Sequence, residues 1–384
     1  MYDELTGEQQ TIRDVAREFA EHEIAPHSTH WDRQEAMDRA VLDKLADVGF
    51  LGATIPTEHG GAELDPLNYC LLIEELGRVD SSVRGVVTVH AGLVAKTILR
   101  WGTEDQRARF LPRLAAGTAI GCFALTEPDH GSDAAQLTTR AVRQDGDWTL
   151  DGSKTFITNG TWANIALVFA RTGPASGARG ITCFIVDTAS DGFRAVPIKG
   201  KLGLRAQDTA TLFLENVRVP DTDRLGDVGS GFKIAMTALD AGRMSLAAAA
   251  VGIAQGSLDA AVRYARERSA FGKSIAGHQL VQELLADTAV ELDAARLLTW
   301  RVASLMAAGR PFTVEASKAK YFASETAVRA TNAAVQVLGG YGYLDEFPVA
   351  RFLRDARVTT LYEGTSQVQK LLIGRALTGV PAFS

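Results

Sequence analysis

Residues 361–367, Leu-Tyr-Glu-Gly-Thr-Ser-Gln, have the clearest potential for chemistry, because Glu363 stands there between an aromatic residue and a glycine. Gly364 permits a sharp backbone turn, and Thr365 is suited to cap the apolar helix predicted to follow. A glutamate fixed on such a turn can be aimed into a cavity as a general base. An ordinary surface loop remains the alternative, and these seven residues alone favour neither interpretation.

Two stretches in the middle of the chain could face a ligand. In residues 124–133, Pro128 and Gly131 disfavour regular structure, which leaves hydroxyl and backbone N–H groups free to contact a planar heterocycle with anionic tails. In residues 155–160 a strand runs into a turn, where Phe156 could lie against an aromatic ring and Thr158 could bond its edge. Taken singly, residues 124–133 are equally well explained as an ordinary loop between strands that carries polar residues. Phe156 is equally well explained as a residue of the hydrophobic core.

Two predicted helix ends could hold phosphates. Residues 268–273 carry Arg268 and Lys273, and a basic helix end can bind a pyrophosphate through charge-assisted hydrogen bonds. The helix dipole alone also favours basic residues at such a position. In residues 336–342, the adjacent Gly339 and Gly340 allow close approach of a phosphate or ribose, or form a plain C-terminal cap.

Composition excludes several functional classes. The net charge of −6 over 384 residues gives no electrostatic case for binding nucleic acid or an anionic membrane surface. No apolar run of the roughly 18 residues that a membrane span needs is expected. His27 and His30 lack further ligands nearby, so no metal site is predicted.

The cysteines and the N-terminus favour a cytoplasmic protein. Cys70, Cys122 and Cys183 are scattered and odd in number, so reduced thiols are expected. The chain opens with acidic residues, and no signal peptide is expected.

The segment pattern predicts an α+β protein of three domains. Residues 1–118 read as a helical domain, whose first helix starts at a Thr6–Gln9 capping box and is expected to end at Pro26. Residues 119–230 read as a β domain, a small barrel or sandwich, with a hairpin at 145–147. Residues 231–384 read as a four-helix bundle.

Together these stretches resemble the acyl-CoA dehydrogenases over nearly the whole chain. The resemblance rests on five segments in that family's order and spacing: 124–133, 155–160, 268–279, 336–342 and 362–367. The order of helices, strands and helices agrees with it. No GxGxxG motif follows a strand, so the chain is not a Rossmann-type flavoprotein.

The resemblance implies an FAD-dependent homotetramer with the cofactor between the β domain and the bundle. The implied flavin and phosphate contacts are Leu125, Thr126 and Ser132, with Phe156 in place of a more usual tryptophan and Thr158 at the ring edge. A neighbouring subunit would contribute Arg268, Phe271 and Gln279, and the remaining cofactor contacts would be Gln336, Gly340, Thr365 and Gln367. Ala270 replaces a frequent threonine, so one hydrogen bond to the cofactor is expected to be missing.

The resemblance also implies the reaction. Glu363 matches the base that removes the α-proton of an acyl thioester, while flavin N5 accepts the β-hydride and a 2,3-enoyl thioester forms. Its backbone N–H and a ribityl hydroxyl would stabilise the charge on the carbonyl. Some relatives place the base near the position of Gly242, which cannot act as one here. Burial should raise the pKa of Glu363 toward the working pH.

The residues expected at the substrate are Ser132, Asp240, Arg243, Tyr362, Gly364 and Arg84. Arg84 lies in a Ser-x-x-Arg segment similar to one in glutaryl-CoA dehydrogenases, where the arginine binds a distal carboxylate. Those enzymes also have a nearby glutamate, and the matching residue here is Gly77. Relatives that act on acyl-carrier-protein thioesters in secondary metabolism have a comparable arginine. A short or branched monocarboxylic acyl group, with Arg84 structural or facing solvent, is the other interpretation.

The expected electron acceptor is an electron-transfer flavoprotein. A flavin oxidase or monooxygenase on the same scaffold is a competing interpretation, disfavoured by the intact residues 362–365. An inert relative that serves as a binding partner is another, disfavoured because Glu363 and the FAD-contacting stretches are retained.

Overall fold

The computed structural model describes residues 5–173 and 177–382. Its first part is helical, and the helices are α1 (Gly7–Phe19), α2 (Ala25–Gln34), α3 (Val41–Asp47), α4 (Pro66–Val79), α5 (Ser81–Val87), α6 (Lys96–Trp101) and α7 (Glu104–Ala115). Two π-helical segments, Ala20–Ile24 and Thr88–Ala95, join α1 to α2 and α5 to α6 into longer helical runs.

The start of α1 is predicted correctly, but its continuation is not. Thr6 and Gln9 form the reciprocal capping box. Pro26 does not end the helical run, because the Ala25 N–H bonds back to Ala20 O across the π turn. Pro26 therefore falls in the first turn of α2, where a missing N–H leaves no hydrogen bond unmade.

The middle of the chain forms one eight-stranded sheet. Its strands are β1 (Gly121–Ala124), β2 (Arg140–Gln144), β3 (Asp147–Thr158), β4 (Ile165–Arg171), β5 (Ile181–Asp187), β6 (Phe193–Pro197), β7 (Thr209–Val219) and β8 (Arg224–Leu225). The order is β6-β7-β3-β2-β4-β5-β8, and β1 pairs with β4 in parallel. The predicted hairpin is confirmed, since β2 and β3 pair antiparallel around Asp145 and Gly146, both with positive φ.

Both faces of the sheet are packed against other residues, and the strands that lie between them are therefore rich in apolar residues. One face forms its own core around Trp148, Leu150 and Phe184. The other packs Phe169 and Ile185 against the helices that flank the sheet. The stretches predicted to face a cofactor, 124–133 and 155–160, begin at the end of β1 and within the last residues of β3.

The last part is a helical bundle. It contains α8 (Gly231–Glu267), α9 (Gln279–Ala307), α10 (Thr313–Leu338), α11 (Pro348–Thr359) and α12 (Ser366–Thr378), with a small hairpin of β9 (Ser269–Ala270) and β10 (Lys273–Ser274) between α8 and α9. Helix α10 packs against α8, α9, α11 and α12. Its buried side is made of small residues, mainly alanines, so the neighbouring helices approach it closely.

Glycines allow α8 to lie directly on α4. A Cβ on Gly252 would lie 2.2 Å from Glu74 O, and one on Gly256 would lie 2.2 Å from Arg78 O. Facing them, a Cβ on Gly77 would lie 3.0 Å from Ala249 O. Such backbone contact is possible only without side chains, and it joins the N-terminal helices to the bundle over buried apolar surface.

Two helical runs, Ser81–Trp101 and Gly231–Glu267, are long and apolar enough to cross a membrane by length and composition alone. Polar and charged residues interrupt both runs, so neither is the continuous apolar run of about 18 residues that the prediction concerns. Most of each run's most apolar window, 83% and 72%, is buried inside the protein. This burial is typical of core helices in a folded domain.

Replacing Gly252 with alanine should destabilise the protein by about 1–3 kcal/mol or more, because the new methyl group would overlap the Glu74 carbonyl. The midpoint of denaturant unfolding measures the effect. Gly374→Ala in α12 is the matched control, since no heavy atom lies within 4 Å of its Cβ position and alanine is the better helix former. The control should be neutral or stabilising, and equal behaviour of the two variants would contradict the close α4–α8 packing.

Candidate active site

Glu363 lies on a left-handed turn between α11 and α12. Its φ is 56° and that of Gly364 is 85°. A non-glycine residue in this conformation costs about 1–2 kcal/mol, so surrounding contacts must hold it. Thr365 starts α12 directly afterwards, and its hydroxyl accepts from the Val368 N–H as predicted for a cap.

Side chains from three helices hold the two carbonyls of this turn. Arg243 of α8 donates from Nε to Glu363 O at 3.4 Å. Gln369 of α12 donates to Glu363 O at 3.1 Å and to Gly364 O at 2.9 Å. Lys320 of α10 donates to Gly364 O at 2.8 Å. Asp240 in turn accepts from Arg243 at 2.5 Å and from Thr313 at 2.7 Å, which fixes the arginine.

The Glu363 carboxylate fills the space that a side chain on α8 would occupy. A Cβ on Gly242 would lie 2.6 Å from Glu363 Oε2 and 2.9 Å from Oε1. Oε2 is buried and has no hydrogen-bond partner among the described residues. The glycine thus makes room for the carboxylate, and one carboxylate oxygen is left free to take a proton.

Burial raises the pKa of Glu363 to about 7, against the opposing charges of Arg243, Lys320 and Arg84. Loss of water disfavours the charged carboxylate, while the three cations favour it. The result is a carboxylate whose proton affinity is matched to neutral pH, which is what a general base requires.

The carboxylate faces a cavity of about 140 Å³. The cavity has an apolar lining of Val89, Leu93, Phe123, Leu239 and Leu246, and a polar lining of Arg84, Thr88, Ser245, Tyr362 and Gln207. Arg84 is buried and donates to the Tyr362 hydroxyl at 3.0 Å. The structure therefore brings three predicted site residues, Arg84, Tyr362 and Glu363, together beside Gly242.

The opposite wall comes from the sheet and fits an aromatic heterocycle. Leu125, Thr126, Phe156 and Thr158 all line the cavity, and their contact with a flavin stays a prediction. Phe156 has a φ of 58° and leaves 69% of its surface exposed, an unusual state for a phenylalanine that a flat ring would cover. Thr158 accepts from Gln207 at 2.7 Å, and Gln207 Oε1 is buried with no hydrogen-bond partner in the described part of the chain, so it is available to a ligand donor.

A buried ion pair fixes the loop that carries Leu125 and Thr126. Lys154 of β3 is fully buried and donates to Glu127 at 2.8 Å and to Leu125 O at 3.2 Å. Burial would raise the pKa of Glu127, but Lys154 and the Thr138 and Thr139 donors hold it at about 2. Ser132, further along the loop, is exposed and does not line the cavity, so its contact with cofactor or substrate stays a prediction.

The other predicted cofactor residues lie away from this cavity. Arg268, Phe271 and Gln279 are exposed around the β9–β10 hairpin, and Phe271 leaves 97% of its surface uncovered. The Arg268 guanidinium lies 5.6 Å from the Tyr341 ring, and both residues line a surface pocket of about 470 Å³ together with Gly340. Gln336 and Gln367 are exposed on α10 and α12.

Sequence reasoning missed Lys320, Gln369 and Gln207. Each is buried and reaches the site from a different element. Lysine and glutamine are rarely buried, and the sequence gives no period or motif that marks these three. Only the fold reveals them.

Among the described residues, no group of three or more His, Cys, Asp or Glu side chains is placed to hold a metal ion. The three cysteines are buried and free.

The chain is similar to known proteins over nearly its whole length. Three family models match: acyl-CoA dehydrogenase, N-terminal domain, at residues 6–118; middle domain, at 122–217; and C-terminal domain, at 229–378. The chain is 42% identical over 375 residues to an acyl-CoA dehydrogenase of Bacillus subtilis, covering 98% of this chain and 99% of the other. It is 43% identical to the mitochondrial short-chain specific acyl-CoA dehydrogenase of Mus musculus, covering 96% and 90%.

Solved structures are equally similar. Butyryl-CoA dehydrogenase from Megasphaera elsdenii has a TM-score of 0.96 at 42% identity, covering 98% of this chain and all of the other. A chain solved in work on the electron transferring flavoprotein of Acidaminococcus fermentans has a TM-score of 0.96 at 43% identity, with the same coverage. Glutaryl-CoA dehydrogenase from Mycobacterium smegmatis has a TM-score of 0.95 at 37% identity, covering 99% and 97%.

Replacing Lys154 with methionine should destabilise the protein by about 3–5 kcal/mol, because Glu127 would remain buried without its partner. Denaturant unfolding measures the change. The double variant E127Q/K154M should recover part of the loss, since no unpaired charge then remains. Arg329→Met is the matched control: its ion pair with Glu291 is exposed, and its loss should cost no more than about 1 kcal/mol. Equal losses in the two single variants would contradict the role of the buried pair.

Proposed function

The chain belongs to the acyl-CoA dehydrogenase family, and we propose that it oxidises a short acyl-CoA thioester to the 2,3-enoyl thioester with Glu363 as the base. It is an FAD-dependent oxidoreductase with the α+β fold of that family. The observation that carries the proposal is the Glu363 carboxylate. It has a pKa near 7 and an unpartnered buried oxygen, and it faces a cavity whose other wall suits a flavin.

In the proposed mechanism the chain supplies the base and an oxyanion contact. The ionised Glu363 carboxylate removes the α-proton of the bound thioester, and negative charge develops on the carbonyl oxygen. The Glu363 backbone N–H donates to no backbone acceptor in the described part of the chain, so it is available to stabilise that charge. Bound FAD supplies the acceptor for the hydride that leaves the β-carbon. The cavity's apolar residues exclude water from the acyl chain.

The relatives support a short substrate. Those named short-chain specific are up to 43% identical to this chain, and the butyryl-CoA enzyme shares its fold closely.

A homotetramer is proposed because one chain cannot complete the cofactor site. Arg268 caps the end of α8, 26 residues beyond Gly242, which corresponds to about 39 Å along a continuous helix. Arg268, Phe271 and Gln279 are therefore too far away to serve the cavity of their own chain. A neighbouring subunit can supply them, and the uncovered Phe271 ring supports this arrangement.

The remaining assignments follow from the family. An electron-transfer flavoprotein is the proposed acceptor, supported by the similarity to a chain solved in work on such a flavoprotein. A cytoplasmic location is proposed as well. The domain limits 1–118, 119–230 and 231–384 stay predictions, supported by the change from helices to strands after Ala115 and back to helices at Gly231.

Converting Glu363 to glutamine should slow substrate-driven bleaching of the flavin at least about a hundredfold, because the amide cannot accept the proton. The measurement is anaerobic stopped-flow absorbance with butyryl-CoA, and flavin content should remain unchanged. Glu346→Gln, an exposed change, is the matched control and should react normally. Bleaching of E363Q at the normal rate would refute the proposal, and rapid peroxide formation in air by the unmodified enzyme would favour an oxidase.

A second candidate substrate is an acyl group with a distal carboxylate. Arg84 is buried in the cavity lining and forms no ion pair with a carboxylate of the described residues. It donates to two hydroxyls, Tyr362 at 3.0 Å and Thr88 at 3.5 Å, and none of the residues that the structure describes accepts from its Nε. An arginine buried in this way can bind a carboxylate through two parallel hydrogen bonds. The similarity to a glutaryl-CoA dehydrogenase structure supports this candidate too.

For this second function, Arg84→Ala should lower kcat/KM at pH 8 for glutaryl-CoA by roughly a hundredfold and for butyryl-CoA by less than about threefold, since only glutaryl-CoA carries the distal charge. At that pH much of Glu363 stays ionised even after one of its three neighbouring cations is lost. Steady-state assays with both thioesters measure the difference. Thr88→Val serves as the control, because it removes one hydroxyl contact and leaves the charge. Equal losses on both substrates, or no loss, would reject a carboxylate-binding role.

A further inference from the structure

Lys320 is a buried cation beneath the proposed catalytic turn. Its side chain is fully buried, and the neighbouring residues on the same side of α10 include Ala316, Ala319 and Ala323, which are also fully buried. No carboxylate of the described residues forms an ion pair with its ammonium group. The one hydrogen bond that the ammonium donates goes to Gly364 O at 2.8 Å. Buried lysines without a paired acid are rare in purely structural positions.

The hydrogen bond from Lys320 is accepted by Gly364, the residue that follows the proposed base Glu363. Glu363 and Gly364 are both left-handed, so the direction of the Glu363 side chain depends on where their carbonyls are held. Gln369 contacts both carbonyls but is neutral, and Arg243 contacts only Glu363 O. Among these three side chains, Lys320 alone is a charged donor to Gly364 O.

We propose that Lys320 is a positioning residue for proton abstraction: its ammonium group anchors the Gly364 carbonyl and places a positive charge near the Glu363 carboxylate. This inference rests on the proposed function, since it assigns the task that the lysine performs for that base. The anchor keeps the carboxylate pointed into the cavity beside Gly242. The charge favours the ionised carboxylate, which is the form that accepts the proton.

Several titratable groups surround this pair. Arg243 of α8 and Arg84 of α5 act on Glu363, and Tyr69 of α4 lies close enough to interact with both Glu363 and Arg84. Glu325 of α10 acts on Lys320 and accepts a hydrogen bond from Ser366 at 2.5 Å. Burial lowers the pKa of Lys320 to about 8, opposed by Glu363 and assisted by Arg243.

These values define a working range. Burial raises the pKa of Glu363 to about 7, so below that pH the base is increasingly protonated. Above about pH 8 Lys320 loses its charge, and the carboxylate becomes a stronger but less well oriented base. Between the two, Glu363 is mostly ionised and Lys320 is mostly charged. Removal of the lysine charge must raise the pKa of Glu363, because one of its three stabilising cations is lost.

The experiment compares Lys320→Met, Lys320→Gln and the unmodified FAD-loaded enzyme. Methionine keeps the aliphatic length without the charge, and glutamine keeps a donor for Gly364 O without the charge. The rate of anaerobic flavin bleaching by butyryl-CoA is measured from pH 5.5 to 9, together with flavin content and the substrate concentration at half-saturation. Lys318→Met is the matched control, two residues along α10 and partly exposed.

The expected result separates charge from anchoring. Both Lys320 variants should shift the acidic limb of the pH profile upward by roughly one pKa unit, as loss of one nearby charge predicts. K320M should also lower the maximal rate by roughly ten- to a hundredfold, as loss of a positioning contact predicts. K320Q should lose less rate than K320M, and half-saturation should change little in either. K318M should match the unmodified enzyme.

Other results would overturn the inference. The acidic limb of K320M could lie within about 0.2 pH units of that of the unmodified enzyme, with a maximal rate within about twofold. That result would show that Lys320 only supports the fold. If K320M fails to fold, the pH profile and maximal rate of K320Q are compared with those of the unmodified enzyme, and the same two thresholds apply. E363Q is measured alongside: normal bleaching there refutes Glu363 as base, whereas inactive E363Q with a normal Lys320 profile refutes only the role of Lys320.

Discussion

The structure depends on keeping one carboxylate buried, ionisable and aimed from a strained turn. Desolvation of a carboxylate costs several kcal/mol unless other groups compensate. Here Arg243, Lys320 and Arg84 offset much of that cost, and burial still raises the pKa of Glu363 to about 7. With fewer cations Glu363 would be protonated at neutral pH, and with full solvation it would be a weak base. The balance between burial and charge therefore sets its chemistry.

That balance requires distant parts of the chain to meet. Asp80 caps α5, the helix of Arg84, and also pairs with Arg351 of α11 at 3.3 Å. Asp355, one turn further along α11, accepts from the Leu204 N–H at 2.6 Å and so fixes the loop that leads to Gln207. Burial raises the pKa of Asp355 to about 7, with Arg351 opposing. These contacts join the N-terminal helices, the sheet and the turn of Glu363 around one cavity.

The sequence predicts the site best where a short motif carries the geometry. The Glu363–Gly364 turn, the cap at Thr365, the 145–147 hairpin and the order of helices and strands follow from local residue types. Pro26 was misjudged because a π turn cannot be read from residue periodicity. Lys320, Gln369 and Gln207 escaped prediction because their partners are tertiary contacts that no local pattern encodes. The separation of Arg268 from the cavity is likewise visible only once α8 is known to be unbroken.

The contact between Gly242 and Glu363 has an evolutionary consequence. Each position occupies the volume that a side chain at the other would need, so the two sites are epistatic. A glutamate introduced at 242 while Glu363 remains would force two carboxylates into one space, and removal of Glu363 first would leave no base at all. Relocating the base across this cavity would therefore couple a substitution at 242 to one at 363.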